Sequence, residues 1–237
     1  MTKLFLAGTA TNPKLNFSKY VLESFYYVKP WQEEYIHKWD MFLLDSGAFT
    51  FMNSAKGEVN LNKYLDDYIA FIKQNRINYF FELDIDAIVG LEKVEQIRRK
   101  IEFKTRKKVI PVWHKSRGIE KFYEICREYD YIAIGGLAMR DIKRKEYHHL
   151  RQLNRIAKEH NTKVHGLGFT TKDFMKYGFY SVDSTSWQGG RFGTVYQFTN
   201  GEMRTFNYSN RRLADSKKAQ LHNFKQWVQY QNYVERF

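Results

Sequence analysis

The sequence predicts an α/β fold, a single (β/α)8 barrel of the TIM type. Three observations carry this. Short apolar runs alternate with stretches of helical periodicity along the chain, as in βα repeats. No break in composition marks a linker. At 237 residues the chain has about the length such a barrel needs. A doubly wound open sheet is the alternative, but it would place G-x-G-x-x-G after the first strand, where Gly8 stands alone. Neither a phosphate-binding G-x-x-x-x-G-K-[ST] nor an H-E-x-x-H occurs.

Lys3 to Thr9 reads as the first strand, followed by two aromatic-rich helical stretches over residues 17–28 and 31–39. Met41 to Asp45 is a second strand, apolar throughout as buried parallel strands are. Asn60 caps a helix whose apolar face is Leu65, Tyr68, Ile69 and Ile72. Residues 79–86 form a third strand, in which alternation puts Glu82, Asp84 and Asp86 on one face. A helix opened by Gly90 leads to a fourth strand ending at His114, and a further helix to a fifth ending at Gly135 and Gly136. A helix over residues 145–161 precedes the sixth strand, which contains His165 and Gly166. The seventh is Phe179-Tyr180-Ser181-Val182-Asp183, running into Ser184, Thr185, Ser186 and Trp187 and then a loop holding Gly189, Gly190, Arg191 and Gly193. Residues 194–198 supply an eighth strand, with Asn200-Gly201 turning the chain into a hairpin partner. The barrel is expected over residues 1–207, with a helical extension over 208–237 packed on it.

An apolar content of 43% supports a sizeable core and excludes wholesale disorder. No apolar run is long enough to span a bilayer, and the start of the chain lacks a secretory pattern. A single cysteine, Cys126, excludes an intrachain disulfide and a cysteine-rich zinc site. A cytoplasmic location is expected, with the chain a monomer or a weak homo-oligomer. The net charge of +13 points to a polyanionic partner, nucleic acid above all. Arg98, Arg99, Lys100, Lys104, Arg106, Lys107 and Lys108 crowd one helix and its following turn. Arg204, Arg211, Arg212, Lys217, Lys218 and Lys225 lie in the tail, among Phe206, Tyr208, Phe224, Trp227 and Tyr230. Such interleaving suits backbone tracking with base stacking. The alternative is a solvated basic face, with the tail aromatics packed on the body.

In a barrel the strand ends converge on one mouth, which gathers Asp45, Asp84, Asp86, His114, Gly135, Gly136, His165 and Asp183. Clustered carboxylates need a cationic partner, a metal, or a substrate that donates hydrogen bonds. A metal held with His114 and His165 is one reading. A carboxylate at such a mouth can also stabilise or trap an oxocarbenium-like centre at an anomeric carbon, as in retaining glycosidases.

Four blocks in order carry a family resemblance. Asp45-Ser46-Gly47-Ala48-Phe49 resembles the D-S-G-G-F block of tRNA-guanine transglycosylases, and Gly135-Gly136-Leu137-Ala138 matches their G-G-L-A block. His165-Gly166-Leu167-Gly168 is similar to their M-G-V-G strand end, and Asp183 with Gln188 to Gly193 resembles their nucleophile segment. The resemblance covers residues 41–193. It implies that Asp183 attacks C1′ of a guanosine nucleotide, displacing guanine and leaving a covalent glycosyl-enzyme. Asp45 would contact the base and manage its proton, while Asp84, or Asp86, reads the guanine amidine edge. Backbone groups of Gly136 and Leu137 would bind the base carbonyl, and His114 stands where the family has a glutamine. Ser46, Gly47, Gly135, His165, Gly166 and Arg191 complete the expected substrate site, with Phe49, Trp113 and Trp187 as stacking partners for a flipped base. No cofactor or metal is implied.

The chain departs from the tRNA-acting members: Ala48 replaces a glycine, the chain is far shorter, and one cysteine rules out their Cys3His zinc subdomain. It looks more like the DNA-acting branch of phages and bacterial islands, which inserts 7-deazaguanines such as 7-cyano-7-deazaguanine. DNA is therefore the expected partner, with tRNA the alternative. A hydrolytic glycosylase, a non-catalytic nucleic-acid-binding barrel and a metal-dependent nuclease are the competing functions.

Overall fold

The computed structural model describes residues 2–9, 17–54, 60–208 and 215–237; Arg211 and Arg212 of the basic tail lie outside the described residues. Seven parallel strands form one curled sheet: β1 (Lys3–Ala7), β2 (Tyr20–Ser24), β3 (Met41–Asp45), β4 (Val112–Trp113), β5 (Tyr131–Ile134), β6 (Lys163–Gly166) and β7 (Ser181–Ser184). Their order is β3-β2-β1-β7-β6-β5-β4. The two edges of that sheet meet through residues 80–81. Leu44 bridges Phe80, and Phe81 bridges Ile110. The Phe81 N–H donates to the Leu44 carbonyl at 2.9 Å, and the Ile110 N–H donates to the Phe80 carbonyl at 2.9 Å. Eight parallel segments thus close into a ring, the TIM-type architecture, and closure removes the exposed sheet edges.

Three expectations about the strands are corrected. The helix expected over residues 17–28 is instead strand β2. Its side chains alternate: Tyr20 and Leu22 pack with Phe5, Leu43, Phe81, Ile110 and Ala133 inside the ring, while Val21 packs outward on Phe42 and Tyr68. Residues 194–198 do not join the barrel. They belong to β8 (Thr194–Thr199), which pairs only with β9 (Glu202–Asn207) as the anticipated antiparallel hairpin. The third barrel strand is also shorter than expected, because the chain turns after residue 82 and enters α4 (Asp86–Val89).

Around the ring lie α1 (Pro30–Glu33), α2 (Ala48–Ser54), α3 (Leu61–Gln74), α5 (Leu91–Thr105), α6 (Gly118–Glu128) and α7 (His148–Glu159). The Asn60 side chain caps α3 by accepting the Lys63 N–H at 2.9 Å. Outside the ring the core falls into two parts: one packs α3 and α5 on β3, the other packs α6 and α7 on β5 to β7.

The last helix, α8 (Ser216–Val234), fills the face over β1 and the hairpin. Its Phe224, Trp227, Tyr230 and Val234 are buried, so these tail aromatics are core side chains and not stacking platforms. Its amides cover backbone that would otherwise lack partners. Asn223 accepts from the Tyr196 N–H at 2.9 Å and donates to the Thr194 carbonyl at 2.9 Å, and Gln226 accepts from the Phe198 N–H at 2.8 Å. Gln231 donates to the Leu4 carbonyl at 2.6 Å and accepts from the Lys19 N–H at 2.9 Å. No described helix is long and apolar enough to cross a membrane.

Trp187 lies at the joint of these parts, fully buried against Phe224, with its indole N–H donating to the Ala7 carbonyl at 2.8 Å. Trp187→Ala is expected to cost about 3–5 kcal/mol in urea unfolding, with an unchanged m-value.

Candidate active site

The strands of the ring run parallel, so their ends share one mouth, and β3 ends in Asp45. Gly47 follows with φ +63, where an added Cβ would overlap Ser24 and Tyr26. The tight turn this permits aims the Gly47 N–H at Asp45 Oδ2, 3.1 Å away. Burial pushes the Asp45 carboxyl up to about 6; Gly47 opposes this, and the nearby Asp84 and Asp183 charges add to it. The Asp45 carboxyl therefore feels acids that lie in or just after two other strands of the ring. Ser46 is buried, its carbonyl accepting the Tyr64 hydroxyl at 2.6 Å, so it holds the turn and does not face the mouth. Phe49, at the start of α2, is 53% exposed.

The acids after residue 81 gather around a residue the sequence reading missed, Arg117. Its side chain is 4% exposed. It donates from Nη1 to Glu82 at 2.9 Å, from Nε to Asp86 at 2.8 Å and from Nη2 to Asp84 at 3.4 Å, and it also bonds the Val112 carbonyl. Glu82, fully buried, also accepts from Arg98 at 3.2 Å and from the Val112 N–H at 3.0 Å. Burial raises the Glu82 carboxyl above its usual value, against the pull of both arginines. Burial works against the Asp86 charge too, but Arg117 outweighs it and holds that carboxyl below its usual value. Glu82, Asp84 and Asp86 do converge, but on one guanidinium and not through strand alternation, since the chain leaves the strand after residue 82 and Asp86 opens α4. A signal for Arg117 existed in the sequence: buried acids require a countercharge, and an arginine follows the next strand by three residues.

His114 Nε2 lies 2.9 Å from Asp84. Burial lowers the imidazole's proton affinity, but the Asp84 hydrogen bond and charge outweigh it and leave it raised. His114 also explains Gly135, where any Cβ would overlap the imidazole. Asp84, Asp86 and His114 have ligand atoms close enough together to hold a cation. Arg117 already supplies the positive charge there, and His165 belongs to a different group. The amides of Gly136 and Leu137 donate to no described residue, although the Leu137 side chain is buried.

Asp183 sits near the end of β7, its side chain 10% exposed. Its Oδ1 accepts the Gly168 N–H at 2.7 Å and contacts His165 Nε2 at 3.2 Å. His165, fully buried, contacts Ser181 Oγ through Nδ1 at 2.7 Å, and that hydroxyl lies 2.6 Å from the Tyr131 hydroxyl. The rings of Phe5 and Phe81 pack against His165 from inside the barrel, with centroids at 5.9 and 5.4 Å. Gly166 is a packing residue, since a Cβ there would press on Phe169 and Phe179. Among the described residues no lysine or arginine pairs with Asp45 or Asp183.

The aromatic candidates divide. Trp187 is core, and Trp113 is buried against Phe122 with its N–H on the Gly118 carbonyl at 2.8 Å. Of the three expected stacking partners only Phe49 is open. The basic clusters divide as well. Arg98 is buried on Glu82, Arg99 and Lys108 pair with Glu128, Lys100 pairs with Asp66, and Lys107 Nζ bonds the Ile77 carbonyl. Apart from Arg98, these basic side chains lie on the later part of α5 and the turn that leads into the next strand, away from the strand ends that carry the acids. On the mouth side, the segment after β7 exposes Arg191 and Phe192, and the nearby end of the hairpin exposes Phe206 and Tyr208, joined to it by the Tyr208 N–H on the Gly193 carbonyl at 3.0 Å.

Two outcomes are expected. Arg117→Met leaves three acids without their shared cation and is expected to destabilise by about 3–5 kcal/mol in chemical denaturation. Asp45 holds its proton more tightly folded than unfolded, where its usual value is 3.8. The stability this contributes is present below pH ~4 and is lost as pH rises through 6. Asp45→Asn is therefore expected to be neutral at pH 4 and stabilising at pH 8, by on the order of 3 kcal/mol at most.

No protein-family model matches the chain, and no curated protein sequence matches it. Among solved structures it is similar to a protein from Coccidioides immitis assigned as a fructose-1,6-biphosphate aldolase. The two share 10% identity at a TM-score of 0.57, covering 99% of this chain and 87% of that one. It is also similar to the carboxyl transferase domain of Rhizobium etli pyruvate carboxylase, at 9% identity and a TM-score of 0.50, covering 99% of this chain and 48% of that one. At such identities the likeness is one of fold: this chain is a barrel of the TIM type.

Proposed function

We propose that the protein is an enzyme, a nucleic-acid guanine transglycosylase that exchanges guanine for a 7-deazaguanine base in DNA through a covalent aspartyl-glycosyl intermediate. The observation that carries the reading is the meeting of acids at the mouth: Asp84 and Asp183 lie near enough to Asp45 for their charges to raise its carboxyl, and among the described residues no arginine or lysine pairs with Asp45 or Asp183. Asp183 Oδ2 gives its electron pair to C1′ as the C1′–N9 bond breaks and its pair passes to the departing purine. Asp45, with its proton affinity near neutrality, is suited to give that purine a proton and to take one from the incoming base. The amides of Gly136 and Leu137, which donate to no described residue, would receive the base carbonyl, and Asp84, held by His114 and Arg117, would accept from the base's N–H edge. Attack by the incoming base on C1′ then restores the Asp183 carboxylate.

DNA is preferred because a lone buried cysteine leaves no zinc subdomain for docking tRNA. Exposed Arg191, Phe192, Phe206 and Tyr208 offer charge and rings near the mouth for an unpaired strand.

The test is incorporation of labelled guanine or 7-cyano-7-deazaguanine into DNA by the purified protein. Asp183→Ala is expected to lower it by roughly 10³-fold or more, and Asp183→Asn to form no adduct with DNA. Undiminished incorporation by Asp183→Ala would reject the reading. Nucleoside mass spectrometry of DNA and tRNA from expressing cells locates the product, and a deazaguanine in tRNA but not DNA would move the activity to tRNA. Abasic sites appearing without base exchange would mark a hydrolytic glycosylase.

A further inference from the structure

Asp183 does not stand alone in the barrel. Both hydrogen bonds to its carboxylate end on the same oxygen, Oδ1: one from the Gly168 N–H at 2.7 Å, the other on His165 Nε2 at 3.2 Å. Oδ2 accepts from no described residue. The carboxylate can only accept, so Nε2 carries the proton of that contact. The other ring nitrogen faces Ser181 Oγ, which in turn faces the Tyr131 hydroxyl. Burial pushes the Tyr131 phenol well above its usual value, which keeps that hydroxyl protonated and able to donate. A consistent assignment then runs one way: Tyr131 donates to Ser181, Ser181 to His165 Nδ1, and His165 Nε2–H to Asp183.

We infer that His165, fixed by Ser181 and Tyr131, is a positioning residue that pins one oxygen of Asp183 and leaves the other free to bond a sugar carbon. This rests on the nucleophile role proposed above for Asp183. The geometry supports it on two further counts. His165 and Ser181 are paired in register across β6 and β7, so the backbone ladder itself sets their spacing. Phe5 and Phe81 wall the imidazole from inside the barrel, which fixes its ring plane and keeps bulk water from competing for Nδ1. Without the pin, a carboxylate bonded only to Gly168 gains rotational freedom about its last torsion, and fewer of its orientations put an oxygen in line with the sugar.

The test compares wild type with His165→Phe, His165→Gln and Ser181→Ala in the base-exchange assay, with thermal melts to confirm folding. His165→Phe fills the space but cannot donate, and is expected to lower kcat by about 100-fold while KM changes by less than about 3-fold. His165→Gln keeps a donor and is expected to recover about tenfold of that loss. Ser181→Ala leaves the imidazole without its anchor and is expected to fall between wild type and His165→Phe. A folded His165→Phe with wild-type kcat overturns the inference. So does an equal loss in His165→Phe and His165→Gln, which would mark a packing role alone.

A second measurement needs no turnover. In nitrogen-15 NMR of the wild-type protein, His165 is expected as the Nε2–H tautomer, and its Nε2–H proton signal is expected to move upfield in Asp183→Ala. The Nδ1–H tautomer, or a signal indifferent to loss of Asp183, overturns the pin. If wild type exchanges no base but this NMR pattern holds, the proposed function and the positioning role built on it fail together, and the hydrogen-bonded relay alone stands. If wild type exchanges base and the pattern fails, only the inference is lost.

Discussion

The structure depends on one buried guanidinium. Arg117 lies among Glu82, Asp84 and Asp86, three acids that leave residues 80–81 in quick succession. Residues 80–81 are also where the barrel closes, joining β3 to the segment before β4. Three carboxylates with little water would repel one another and prise that joint open. The arginine, reinforced on Glu82 by Arg98, turns the repulsion into a clamp from the α6 side of the ring. A planar group with five fixed donors is suited to this, and lysine is not.

The clamp also sorts the acids by role. Glu82 and Asp86 are consumed structurally, and Asp84 is shared between Arg117 and His114. Asp45 and Asp183 lie outside the clamp, with no lysine or arginine pairing with either among the described residues. Asp45 is buried beside two like charges, so its proton is exchangeable near neutral pH. Asp183 is held on one oxygen, by the Gly168 N–H and His165. Two carboxyls at one mouth with such different surroundings match the two roles proposed for them, proton transfer for Asp45 and bonding to the sugar for Asp183.

Much of this was legible in the sequence, and the failures have physical causes. The strand ends with Asp45, His114, Gly135 and Asp183 were readable because buried parallel strands are apolar runs that stop at polar or glycine residues. Strand β2 was not, because Tyr20, Val21 and Leu22 are a short apolar run flanked by the aromatics Phe17, Phe25, Tyr26 and Tyr27, and so short a run fits helix and strand alike. Losing β2 left the barrel one strand short, and β8, a genuine strand, was recruited to fill the gap. Its edge is in fact satisfied by Asn223 and Gln226 of α8, side chains whose pairing no local pattern announces. The basic run on α5 misled in a similar way: sequence shows the lysines and arginines, but not the carboxylates on other elements that neutralise them. Trp187, expected to stack on a flipped base, is instead folded back under α8 by the turn after β7, a long-range contact that no local pattern shows.

The aromatic floor beneath His165 has a consequence for traffic. Phe5 and Phe81 pack inside a closed ring whose interior is filled by Tyr20, Leu22, Leu43, Ile110 and Tyr131, so the space behind Asp183 is taken up by side chains. Any molecule that reaches Asp183 must therefore come from the strand-end side of the ring and go back the same way.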